Sequence, residues 1–87
     1  MSTYYVYLPN SVTKVVRKVP HDWRLKIIQK LRELETNPYI GLPMQGKYRD
    51  KLKIILGHYR IIYTLNTNKK VIEIKEIESR GSMSSLN

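Results

Sequence analysis

The hydrophobic pattern of the first half of the chain predicts one strand and two helices. Residues 3–8, TYYVYL, are rich in aromatic and β-branched side chains, which is typical of a strand. Apolar residues then recur at intervals of three and four, as in a short amphipathic helix: Val12, Val15, Val16 and Val19. A second helix is predicted over about 20–36, with an apolar stripe made of Trp23, Ile27, Leu31 and Leu34.

The second half predicts a loop followed by three strands. The loop spans 37–46 and holds two prolines and two glycines. KLKIIL and HYRIIYTL, separated by Gly57, predict a hairpin, and KVIEIKEIE over 70–78 predicts a last strand. In that strand the apolar phase shifts between Ile74 and Ile77, which indicates a bulge. The predicted fold is α+β, a small antiparallel β-sheet with two N-terminal helices packed on one face, in the order β-α-α-β-β-β.

The length of the chain, 87 residues, fits one domain. We expect this domain to span 1–80, followed by a short polar tail over 81–87.

The alternation of side chains in the hairpin brings three cations together. A turn at Leu56-Gly57 would pair Lys53 with Arg60, and a turn at Gly57-His58 would pair Lys53 with Ile62. Both registers divide the side chains in the same way, because neighbouring residues point to opposite faces. One face is apolar and is expected to lie under the helices. The other gathers Lys51, Lys53 and Arg60.

This arrangement favours an anionic ligand. Like charges that face or flank one another across strands repel by up to roughly 1 kcal/mol, and no structural feature visible in the sequence compensates for that cost. Lysines that protect a sheet from aggregation are the alternative explanation. Converging cations on a sheet face are better explained by an anion, and phosphate is the most common one.

Composition supports a polyanionic partner. Sixteen Lys and Arg face seven Asp and Glu, which gives a net charge of +9. The absence of cysteine excludes disulfides, thiolate nucleophiles and Cys-ligated zinc, and His21 and His58 lack metal-ligand spacing, so we expect no metal and no cofactor. No signal peptide and no membrane-spanning run is visible, and we expect a cytoplasmic protein with no membrane partner.

At this point the chain resembles the RelE/ParE superfamily of toxins from type II toxin–antitoxin pairs. The most specific features are GHYRIIY over 57–63, KLKI over 51–54 and Arg80 after the last strand. In the RelE branch the resemblance implies an endoribonuclease, an mRNA interferase that enters the ribosomal A site and cuts mRNA without a metal. A ribose 2′-OH attacks the neighbouring phosphodiester, and translation is inhibited.

The resemblance also implies roles for particular residues. Lys51 and Lys53 match the lysines implicated as base and substrate clamp, Arg60 matches the arginine that stabilises transition-state charge, and Arg80 matches the arginine near the leaving group. Lowered lysine pKa values and electrostatic preorganisation would let cations do this work. RNA-binding candidates are Lys47, Tyr48, Arg49 and His58.

Two other readings stay open. Active RelE-type enzymes carry a tyrosine a few residues after the position of Arg80, whereas this chain has RGSMSSLN there, with Leu86 and no aromatic residue. The absent tyrosine favours a ParE-like inhibitor of DNA gyrase, which cuts nothing, or a degenerate relative that only binds RNA or its antitoxin. The expected partners are a cognate acidic antitoxin and, for the nuclease, the ribosome and mRNA.

Overall fold

The computed structural model describes residues 3–79, which form two helices and one mixed β-sheet. In chain order the elements are β1 (Tyr5–Tyr7), α1 (Asn10–Lys18), α2 (His21–Thr36), β2 (Leu42–Pro43), a 3-10 helix (Gly46–Tyr48), β3 (Lys51–Leu56), β4 (Tyr59–Asn66) and β5 (Val71–Ser79). The predicted α+β class is confirmed. Within residues 3–79, no helix is both long enough and apolar enough to cross a membrane.

The sheet differs from the predicted one in two strands. Its order is β1-β5-β4-β3-β2, so it has five strands where the sequence predicted four. The additional strand, β2, is two residues long and lies in the predicted loop, where Pro43 lacks an N–H and no alternation can develop. The other difference is β1, which runs parallel to β5, whereas the remaining pairs are antiparallel.

Prolines set the boundaries of both helices. The carbonyl of Pro9 accepts hydrogen bonds from the first turn of α1, and the carbonyl of Pro20 accepts one from Arg24 in α2. The Arg24 guanidinium in turn donates to the carbonyls of Arg17 and Val19 at 3.1 and 3.0 Å. It therefore satisfies acceptors that the end of α1 would otherwise leave without partners.

The core lies between the helices and one face of the sheet. Its buried members come from both layers: Val12, Val19, Ile27, Leu31, Leu34, Ile54, Ile61, Tyr63, Ile72, Ile74 and Ile77. Tyr63 also ties the loop before β2 to the sheet, because its hydroxyl donates to the Pro38 carbonyl at 2.8 Å and accepts the Gly41 N–H at 3.0 Å. A Cβ at Gly41 would come within 2.6 Å of that hydroxyl, so the close approach requires glycine.

Candidate active site on the open sheet face

Lys51, Lys53 and Arg60 lie together on the sheet face that the helices leave uncovered. Lys53 is paired with Ile62, which is the register set by a two-residue turn at Gly57-His58. Gly57 adopts a φ of +60°, a conformation that favours glycine in a tight hairpin. The predicted separation of faces is confirmed. We call this uncovered surface the open face; it includes the side chains of Lys51, Lys53, Ile55, Arg60, Ile62, Thr64, Glu73, Glu76 and Glu78.

The bulge predicted in the last strand decides what stands beside these cations. Ile62 is paired with Glu76, but the next residue, Tyr63, is paired with Ile74, so Lys75 is an extra residue in β5. The shift keeps Ile74 and Ile77 in the core. It also directs Glu76 and Glu78 to the open face.

A cavity of about 260 Å³ opens on this face. Its apolar wall includes Ile62, which is only 5% exposed although it lies on the open face, together with Met44 and Tyr48. Charged side chains contribute the remainder of the lining: Lys51, Arg60, Lys75, Glu76 and Glu78. Lys53 shares the face with Lys51 and lies outside this lining. A cavity with an apolar wall and a charged rim suits a ligand that has both a flat base and an anionic group.

Arg60 forms an ion pair with Glu78. Its Nε and Nη2 both donate to Glu78 Oε1, at 3.1 and 2.5 Å, and the two residues are directly opposite each other on β4 and β5. The expectation that no structural feature offsets the repulsion among the clustered cations was therefore wrong. Acidic residues of β5 offset it, and the bulge determines that they point to the open face. The guanidinium carries more N–H donors than this pair uses, so Arg60 can still donate to an anion.

Glu76 and Glu78 form a carboxyl pair whose two pKa values shift in opposite directions. The hydrogen bond with Glu78, followed by desolvation and the nearby Glu78 charge, raises the pKa of Glu76 above its usual value; Arg60 and Lys51 oppose this rise. The hydrogen bonds from Glu76 and Arg60 lower the pKa of Glu78. A proton added to this pair therefore resides on Glu76, while Glu78 stays ionised against Arg60.

The RNA-binding candidates fall into two groups. Tyr48, in the 3-10 helix, is 45% exposed and lines the cavity, with Lys47 Nζ at 5.2 Å and Lys51 Nζ at 5.3 Å from its ring centroid. Lys47 and Arg49 are exposed beside it. His58 lies in the hairpin turn, where its ring is edge-on to Trp23 of α2 at 5.5 Å. The fold thus brings Tyr48 to the cations and directs His58 toward the helices.

Arg80 and the tail over 81–87 lie outside the described residues. Within residues 3–79, the carboxylate of Glu78 contacts Arg60. Sequence reasoning missed Glu76, Glu78, Met44 and Lys75 as site residues. One signal could have found the acidic pair: with Ile77 in the core, residues 76 and 78 must point the other way.

Comparison with protein families assigns the chain clearly. Residues 10–83 match the family described as the ParE toxin of the type II toxin–antitoxin system parDE. None of the curated protein sequences compared with the chain matches it.

Solved structures match over nearly the whole chain. The toxin in the archaeal RelE–RelB complex from Pyrococcus horikoshii OT3 is 30% identical, with a TM-score of 0.76 over 91% of this chain and 97% of that one. A toxin–antitoxin complex of the RelBE type from Mycobacterium tuberculosis gives a TM-score of 0.82 at 18% identity, covering 90% and 99%. The intact E. coli RelBE complex gives 0.75 at 24% identity, covering 87% and 95%. The last two similarities concern the fold alone.

Proposed function

This chain belongs to the ParE toxin family of type II toxin–antitoxin systems, within the RelE/ParE superfamily, and on that premise we propose that it is a ribosome-dependent endoribonuclease that cleaves mRNA. One observation carries the proposal: Lys51, Lys53 and Arg60 share the open face, beside a cavity with an aromatic wall. The similarity to RelE toxins supports the same function. Both features suit a substrate with phosphates and flat bases.

The proposed reaction is attack of a ribose 2′-OH on the neighbouring phosphodiester. The phosphorus gains negative charge as the new bond forms, and fixed cations stabilise that charge without reorganising. Arg60 is suited to this role because Glu78 holds its guanidinium in place while other N–H groups remain to donate. Lys51 and Lys53 would serve as base and substrate clamp, and Arg80 would act near the leaving oxygen.

Tyr48, Lys47 and Arg49 would hold the RNA rather than react with it. The exposed ring of Tyr48 offers a stacking surface at the edge of the cavity. Lys47 and Arg49 are exposed and would contact phosphates without reading sequence. His58 would contact RNA only where the RNA extends past the hairpin turn, because the His58 ring lies against Trp23.

We also propose that an acidic antitoxin holds the toxin in check by covering its basic surface. Three of the matching solved structures, from Mycobacterium tuberculosis, Pyrococcus horikoshii and E. coli, are toxin–antitoxin complexes. A net charge of +9 makes an acidic segment the natural complement.

Inhibition of DNA gyrase is the second candidate, and two observations favour it. The matching family is that of ParE toxins, and the predicted catalytic arginine is engaged by Glu78. A supercoiling assay with purified gyrase tests it. Loss of supercoiling at stoichiometric toxin, with mRNA left intact, would favour this function over RNA cleavage.

The proposed function is tested in a reconstituted translation reaction. New mRNA ends are mapped by primer extension after addition of the purified protein, of Arg60→Ala and of Lys53→Ala. Discrete in-frame cuts that require ribosomes and are absent with both variants are expected. Lys30→Ala is the matched control, because this lysine lies on α2 and is paired with Glu33 at 2.9 Å. Intact message with the unmodified protein would overturn the proposal.

A further inference from the structure

The open face continues across β5 to the edge strand β1, where it carries two tyrosines. Tyr5 and Tyr7 are 66% and 46% exposed. Val6, which lies between them, is paired with the core residue Ile72, so the two rings point away from the core and onto the open face. The side chains of this segment that pack on the core are the alternate ones: Tyr4, Val6 and Leu8.

One row of directly opposed residues joins these tyrosines to the cations. Tyr7 lies opposite Glu73 on β5, which lies opposite Thr64 on β4. Thr64 in turn lies opposite Lys51 on β3. Since neighbouring strands are about 4.8 Å apart, the backbones of Tyr7 and Lys51 are separated by about 14 Å. A few nucleotides of single-stranded RNA span that distance.

The surface between the tyrosines and the cations suits bases better than phosphates. A cavity of about 600 Å³ opens there, and its lining includes Thr64 and Glu73 of the row. The lining also carries Asp50, Lys69 and several hydroxyl and amide side chains. Because carboxylates outnumber cations in this lining, it disfavours a phosphate and offers hydrogen-bond acceptors to the amino groups of bases.

We propose that Tyr5 and Tyr7 form a base-stacking site for the mRNA that flanks the cut. The proposal rests on the proposed function, which assigns the scissile phosphate to the cations of the open face. Two residues that are two positions apart on one strand are separated by about 6.6 Å, so each ring can take its own base. Aromatic side chains on the sheet of RNA recognition motifs stack bases in this way.

Single-stranded RNA is the occupant that the surroundings favour. The tyrosines share one continuous face with Lys51 and Arg60, and the chain carries a net charge of +9. The cations supply an attraction that salt weakens, because it depends on phosphate contacts. Stacking on the tyrosines adds affinity that depends on the bases instead.

The test compares complete RNA with RNA that lacks bases. Fluorescence anisotropy measures the affinity for a labelled single-stranded RNA and for a strand of the same length made of abasic nucleotides. We expect the double variant Tyr5→Ala, Tyr7→Ala to bind complete RNA about 10-fold or more weakly than the unmodified protein does. Both proteins should bind the abasic strand equally. The slope of log affinity against log salt should stay the same, because no phosphate contact is removed.

Two further variants separate stacking from other effects. The double variant Tyr5→Phe, Tyr7→Phe keeps both rings and should keep the affinity for complete RNA. Tyr39→Ala is the matched control, because this ring is 64% exposed but is hydrogen-bonded to Tyr4, whose side chain packs on the core. It should leave the affinity unchanged. Thermal unfolding, matched to the unmodified protein, shows that each variant is folded.

Three results would overturn the assignment. Equal binding of complete RNA by the alanine variant and the unmodified protein would show that the rings do not contact bases. An equal loss on complete and abasic RNA would show that they act on the RNA backbone or on the fold. No measurable binding of complete RNA by the unmodified protein would exclude RNA as the occupant.

A failure of the nuclease function would look different. RNA that is bound with the expected dependence on bases and tyrosines, but stays intact on programmed ribosomes, would refute cleavage and leave the stacking site standing. Cleavage on ribosomes together with any of the three results above would refute the stacking site alone.

Discussion

At the scale of single residues, Arg60 shows how one side chain can be fixed and still available. A guanidinium on a sheet face has many rotamers, and binding an anion would cost the entropy of ordering it. Two hydrogen bonds from Arg60 to one oxygen of Glu78 order the guanidinium before any ligand arrives. Both partners remain about one-third exposed, so the pair contributes little to stability. We infer that the ion pair serves to position the Arg60 guanidinium rather than to stabilise the fold.

Tyr63 gives the clearest prediction at this scale. Its ring is fully buried, and its hydroxyl bridges Pro38 and Gly41. Tyr63→Phe removes the bridge and leaves a buried carbonyl and a buried N–H without their partner, which should lower the free energy of unfolding by about 1–3 kcal/mol. Urea denaturation measures the change, with Tyr5→Phe as the exposed control. Equal stability of the two variants would contradict this account.

At the scale of elements, the hairpin and the bulge could both be predicted from the sequence, because alternation fixes which residues share a face. The two possible turns gave one division of faces, so Lys51, Lys53 and Arg60 could be grouped before the register was known. The pairing of Arg60 with Glu78 could not be predicted as securely. It depends on the residue at which the bulge occurs, and a shift of one position reverses the facing of every later side chain.

Two features of the sheet, the strand β2 and the direction of β1, escaped prediction for different physical reasons. β2 has two residues, Leu42 and Pro43, too few to show a period of two. β1 was recognised as a strand, but its direction relative to β5 is a property of long-range packing that alternation does not encode. Tyr48 could be identified as a stacking candidate only by its position ahead of the basic strand, and the 3-10 helix that places it at the cavity left no periodic signal.

The hairpin turn yields a prediction with an internal control. Gly57 and Gly46 both adopt positive φ, at +60° and +69°. A Cβ at Gly57 would lie 2.1 Å from a ring carbon of Trp23, whereas a Cβ at Gly46 would meet nothing within 4 Å. Both alanine substitutions should cost the backbone strain of about 1–2 kcal/mol, and Gly57→Ala should cost more.

Urea denaturation of the two alanine variants isolates the packing term. The excess loss in Gly57→Ala measures the displacement of Trp23 from the turn, which should also change the near-ultraviolet signal of that single tryptophan. Equal losses in both variants would show that Trp23 does not hold the hairpin against α2.

At the scale of the whole molecule, much of the positive charge lies outside the open face that carries the proposed chemistry. Glu76 and Glu78 offset part of the charge on the open face, while α1 carries Lys14, Arg17 and Lys18 with no acidic residue. Further cations, Lys47 and Arg49, are exposed around the 3-10 helix. We therefore assign the long-range attraction of a polyanion to the cations of α1 and of the 3-10 helix. The open face makes the close contacts with the bound RNA.

This division predicts a specific salt dependence. The affinity of the toxin for a fluorescent single-stranded RNA should fall with KCl, and the double variant Lys47→Gln, Arg49→Gln should reduce the slope of log affinity against log salt by about 1.4, since each phosphate contact on a single strand contributes roughly 0.7. Lys30→Gln, whose ammonium is already paired with Glu33, should leave the slope unchanged. A slope unaffected by the double variant would remove Lys47 and Arg49 from the RNA-binding surface.

The central claim is that the open face cleaves RNA through an attacking 2′-OH, and its most direct test is a pair of messages on programmed ribosomes. One is all-ribose, and the other carries a single 2′-deoxy nucleotide on the 5′ side of the cut. We predict cleavage of the first to a 2′,3′-cyclic phosphate and a 5′-hydroxyl, and no cleavage of the second at that position. An all-ribose message that stays intact, or equal cleavage of both, would contradict the account.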